Sequence, residues 1–124
     1  MSPKILVVED EECVRDLLRE TLEGEGCEVV TARTGAEALE LVEAAEFDCL
    51  FTDINMPGMD GWQLARSVRE RLPDIPLAVI TGLGEAVSSA EREAAGANWV
   101  ITKPFDLGRI AQLASELSNA IQLA

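Results

Sequence analysis

Apolar and polar positions along the chain switch repeatedly between two periods. Residues 5–8 are a short continuous apolar run followed by the acids Glu9 to Glu12, which reads as a strand buried on both faces. Val14, Leu17, Leu18, Thr21 and Leu22 then recur at helical spacing, with Arg15, Arg19, Glu20 and Glu23 on the other side. Gly24 and Gly26 stop that helix, and residues 27–32, containing Val29, Val30 and Thr31, form a second strand. Thr34 caps the next helix, with Glu37 three residues on as in a capping box and Ala38, Leu39, Val42 and Ala45 as its inner stripe.

The unit repeats. Residues 48–53 are a third strand, an apolar run that ends abruptly in Asp53; Pro57, Gly58 and Gly61 then supply a turn. A helix over 62–72 turns Leu64, Ala65, Val68 and Leu72 inward and stops at Pro73. Residues 77–80 are a fourth strand ending at Thr81 and Gly82. The helix expected over 85–95 is rich in small residues, so its packing should be the loosest. A fifth strand over 98–102 is closed by Lys103 and Pro104, and Leu107, Ile110, Ala114, Leu117 and Ile121 mark the clearest amphipathic helix.

Five strands alternating with five helices in one domain over 1–124 predict an α/β fold, a parallel sheet with helices on both faces, because right-handed crossovers leave few other solutions. Periodicity does not give the strand order. It does put all the strand ends on one edge, so the acids after the first strand, Asp53, Thr81 and Lys103 share a rim of the kind where ligands collect in open α/β sheets.

Composition narrows the function. Hydrophobic residues at 48% and charged ones at 27% suit a packed globular chain rather than a disordered one. The net charge of −13 opposes direct binding to nucleic acid or an anionic membrane and favours cationic partners. Three cysteines without paired spacing, Cys13, Cys27 and Cys49, argue against a disulfide framework, and the absence of histidine leaves little for a zinc site or a histidine-dependent triad. Neither a signal peptide nor a membrane span is recognisable, so a cytoplasmic protein is expected.

Glu9, Asp10 and Asp53 brought together would repel one another unless a cation intervened. Oxygen ligands alone point to a hard ion such as Mg²⁺. With metal and the Lys103 ammonium neutralising the transferring oxygens, and Thr81 donating a hydrogen bond, the Asp53 carboxylate is suited to accept a phosphoryl group. Taken singly, Glu9 and Asp10 also read as helix-start acids, Asn55 as a turn residue and Glu11 as a solvated acid.

The chain resembles a bacterial two-component response regulator receiver domain over nearly its whole length. The resemblance is carried by Ile5-Leu6-Val7-Val8-Glu9-Asp10-Glu11, Thr52-Asp53-Ile54-Asn55-Met56-Pro57-Gly58-Met59-Asp60-Gly61, Ile80-Thr81-Gly82 and Lys103-Pro104-Phe105 in matching order. It implies a flavodoxin-like doubly wound sheet of order 2-1-3-4-5 flanked by five helices. It also implies that Asp53 takes phosphate from a sensor histidine kinase or phosphotransfer protein, switching a surface read by a downstream effector protein. By the same likeness Asp10 binds Mg²⁺ directly, Glu9 less directly and Asn55 through its main-chain carbonyl. Thr81 and Lys103 contact the phosphoryl group, and the Lys103–Pro104 bond is cis.

This sequence departs from the pattern at Val100, where an aromatic residue is usual and whose β-branch lacks comparable inward and outward rotamers. Trp99 beside it reads as packing, and Leu83 as a limit on water at the acyl phosphate. Such a module catalyses only its own phosphorylation and hydrolysis and is otherwise no enzyme. Two alternatives stand beside it. An aspartyl-phosphate phosphohydrolase usually has a second acid where this chain has Asn55, together with an added cap. A receiver-like docking module would never take phosphate. No output domain is expected within the chain, which reads as either a stand-alone receiver or a domain cut from a longer regulator.

Overall fold

The computed structural model describes residues 2–82 and 89–123, with side chains as far as residue 119. Strands β1 (Lys4–Val8), β2 (Glu28–Ala32), β3 (Cys49–Asp53), β4 (Leu77–Thr81) and β5 (Trp99–Thr102) alternate with helices α1 (Glu12–Gly24), α2 (Gly35–Ala44), α3 (Gly61–Arg71), α4 (Ser89–Ala95) and α5 (Leu107–Leu123). The strands form one parallel sheet in the order β2-β1-β3-β4-β5. This is the doubly wound arrangement, with β3 at the centre between β1 and β4.

Successive strand residues face opposite sides, and both sides are covered. Leu6, Val8, Leu50, Leu77 and Val79 pack with Ala38 and Val42 of α2, Leu64 and Val68 of α3 and Ala95 of α4. Ile5, Val7, Cys49, Phe51, Ala78, Ile80 and Ile101 pack with Leu18 and Leu22 of α1 and Ile110, Leu113 and Leu117 of α5. Trp99 joins the α1–α5 side and Val100 the α2–α4 side, both half-buried. The runs of β1, β3 and β4 are therefore strands buried on two faces, whereas the two edge strands are less covered: Glu28 at the start of β2 and Thr102 at the end of β5 are exposed.

Some details differ from expectation. Leu17 is 38% and Leu107 46% exposed. Leu18 and Leu22 carry the inward contact of α1, and Leu107 is the first residue of α5, one turn ahead of the first buried position, Ile110. Trp62, absent from the expected stripe of α3, is buried. Thr34 Oγ1 accepts from Glu37 N at 3.1 Å. The reciprocal capping box occurs instead at α3, where Asp60 Oδ1 accepts from Gln63 N at 2.9 Å and Gln63 Oε1 from Asp60 N at 3.0 Å. In α4, Ala95 is the one buried residue, in keeping with the weak packing expected of it. Leu83, residues 85–88 of the expected fourth helix and the Ile121 side chain lie outside the described residues. Cys27 and Cys49 are buried, which pushes both thiols' pKa values up, whereas Cys13 is exposed. No helix among the described residues is long and apolar enough to cross a membrane.

Candidate functional site

The carboxyl ends of β1, β3 and β4 set the site. β3 is buried at every position and delivers Asp53 with 4% of its surface exposed. Beyond it the chain turns back tightly. Asn55 N donates to Asp53 Oδ1 at 2.9 Å, and Gly58 takes φ +77°. Gly61 N then donates to Ile54 O at 2.8 Å. A Cβ on Gly61 would stand 2.2 Å from the Asp53 carbonyl oxygen, so only glycine lets α3 begin this close to the acid.

β1 delivers Glu9, which is fully buried. Its main-chain carbonyl accepts from Arg15 Nη1 at 3.0 Å and its Oε1 from Glu11 N at 3.2 Å. Its Oε2 is buried without a hydrogen bond. Burial, and then the neighbouring Asp53 carboxylate, raise the Glu9 pKa from 4.5 to about 8. Asp10, next along, is exposed, and Glu9, Asp10 and Asp53 each offer a carboxylate oxygen, all within 4.8 Å of one another.

Lys103 arrives from the far side of the sheet. Its main-chain N donates to Thr81 O at 2.8 Å, and the Lys103–Pro104 bond is cis, as the resemblance implies. Its Nζ donates to Asp53 Oδ2 at 2.7 Å and lies 3.3 Å from Glu9 Oε2 and 3.7 Å from Glu11 Oε1. Burial works against its charge, but the bond to Asp53 and the charge of Glu9 outweigh it, raising its pKa to about 12. Thr81, buried, is one residue beyond Ile80, the register partner of Asp53, and so ends on the same edge.

The residues singled out from the sequence thus come together: Glu9, Asp10, Asp53 and Lys103 by distance, Thr81 by register and Asn55 by its bond to Asp53. Reading the sequence missed two neighbours. Glu11 reaches Lys103 although it is mostly exposed, and Arg15, placed on the solvent side of α1, reaches back to the loop carrying the acids. Three carboxylates, one with a buried oxygen that has no hydrogen bond among the described residues and the Lys103 charge beside it, form an oxygen-only donor set that fits a hard dication.

Comparison with known proteins agrees with this geometry. The profile of the response regulator receiver domain matches residues 5–115. The chain is 34% identical over 113 residues to the response regulator protein FleR of Pseudomonas aeruginosa, covering 91% of this chain and 24% of that protein. It is 39% identical over 105 residues to the transcriptional regulatory protein SrrA of Staphylococcus aureus, covering 85% and 43%. It therefore spans less than half the length of these relatives. Among solved structures, the Vibrio cholerae chemotaxis response regulator CheY4 superposes with a TM-score of 0.85 at 30% identity over 94% of this chain and 99% of that one. NtrX of Brucella abortus gives 0.89 at 31% identity over 99% and 28%. A receiver-domain profile spanning residues 5–115, and with it Glu9 to Lys103, together with a relative 34% identical over 91% of the chain, places the chain in the response regulator receiver domain family of two-component systems.

Proposed function

We propose that Asp53 is the phosphoacceptor. The observation that carries this is the Lys103 ammonium held 2.7 Å from Asp53 Oδ2, with an oxygen of the buried Glu9 3.3 Å from the same nitrogen. One Asp53 oxygen attacks the phosphorus of a kinase phosphohistidine, the P–N bond breaks, and an acyl phosphate forms as the imidazole leaves. Lys103 then follows the charge from the carboxylate to a phosphoryl oxygen, and the Thr81 hydroxyl donates to a second. Glu9, Asp10, Asp53 and the Asn55 carbonyl would hold Mg²⁺, which when bound offsets the negative charge on the transferring oxygens. The Asn55 main-chain N–H keeps one Asp53 oxygen oriented. The partners are a histidine kinase or phosphotransfer protein that supplies phosphate and an effector that reads the changed surface. Asn55 is not the second acid a phosphohydrolase would need, and the family match favours the receiver reading.

Asp53→Asn should abolish phosphoryl uptake from acetyl phosphate in the presence of Mg²⁺, read as the loss of the phosphorylated mass. Uptake that persists at another residue would overturn the assignment. Lys103→Met should leave Mg²⁺ binding in place while slowing uptake by on the order of a hundredfold or more, as expected when a donor to developing charge is removed.

A further inference from the structure

Arg69, in the last turn of α3, donates to four main-chain carbonyls. Its Nε donates to Ala95 O at 2.8 Å and its Nη2 to Gly96 O at 2.8 Å. Its Nη1 donates to Pro73 O at 3.1 Å and also to Ile75 O. One planar guanidinium thus gathers carbonyls from the end of α4 and from the link between α3 and β4, a geometry that a lysine point charge cannot reproduce. The end of α4 is shaped to receive it. Gly96 takes φ +68°, and its N and that of Ala97 close on Arg92 O at 2.9 and 3.2 Å in a left-handed helix cap. A Cβ on Gly96 would lie 3.4 Å from Arg69 Nη2, an ordinary contact, so the backbone angle and not space is what favours glycine here.

Ser89, Ala90, Arg92, Glu93 and Ala94 are exposed, and only Ala95 is buried. The helix is also the next element in the chain after β4, whose last residue, Thr81, stands at the acidic rim.

We propose that Arg69 is a positioning residue for α4, fixing its C-terminal end to α3 and to the link between α3 and β4 so that this end stays still when the rim changes state. The proposal rests on Asp53 being the acceptor. The test is the ¹⁵N amide spectrum of the whole chain titrated with beryllofluoride and Mg²⁺, with the ¹⁹F signal of bound fluoride reporting occupancy of Asp53. In the unaltered chain, shift changes should be severalfold larger at Ser89 and Ala90 than at Ala95 and Gly96. In Arg69→Met the changes should spread through Ala95 and Gly96, and Arg69→Lys should fall between. A purely structural arginine would lower the melting temperature and leave the shift profile unchanged, and that result overturns the proposal. So does an even profile along α4 in the unaltered chain, which decides the matter even if Arg69→Met fails to fold. Absence of bound fluoride would instead overturn the reading of Asp53.

Discussion

Burial of Glu9 beside Asp53 sets the sign of a pH dependence of stability. Its pKa is raised from 4.5 to about 8 by burial and by Asp53, so folding favours its protonated form. The resulting stability is complete below 4.5 and is lost as pH rises toward 8. Metal-free protein should therefore melt at a lower temperature at pH 8 than at pH 5. Glu9→Gln should flatten that slope and weaken Mg²⁺ binding by at least about tenfold; an unchanged slope in calorimetry would refute the assignment. At Gly61 the limit is steric. Gly61→Ala forces a Cβ against the Asp53 carbonyl and should cost on the order of 3 kcal/mol in urea unfolding, since backbone cannot give way as a side-chain tip does. Asp53 was legible in the sequence because an acid that ends a buried run is costly without a purpose. Arg15 and Arg69 were not, because arginine on a helix is usually solvated and only the fold shows which carbonyls lie within reach.

Elements were legible to within a residue or two wherever a short apolar run met a turn signal, as at β3 and β4. Order was not, because parallel strands are joined by crossovers that leave no local trace of which strand pairs with which; the likeness to a family supplied it. Inner stripes were read well over most of their length, the misses being Leu17 in the middle of α1, where Leu18 takes the inward place, and Leu107 at the start of α5. The capping box of α3 matters for the site because that helix starts against the Asp53 main chain. Asp60→Ala should cost about 1 kcal/mol of stability. It should also loosen the turn after Asp53, read as faster amide exchange at Asn55 and Gly61.

At the scale of the whole molecule, a net charge of −13 means that the folded chain repels itself as well as its rim. Raising ionic strength without divalent metal should therefore raise the melting temperature. Added Mg²⁺ should raise it further, by an amount that Asp10→Asn reduces, whereas screening alone would leave that variant's response to Mg²⁺ unchanged. Two thiols are buried in the core, Cys49 on β3 and Cys27 just ahead of β2, while Cys13 stands open to water beside Pro104 and Phe105. A maleimide dye should accordingly couple once to the native protein and three times to the unfolded one. Dye stoichiometry then counts unfolded molecules directly, and the single native adduct puts an optical probe within a few side chains of the acidic rim without any substitution.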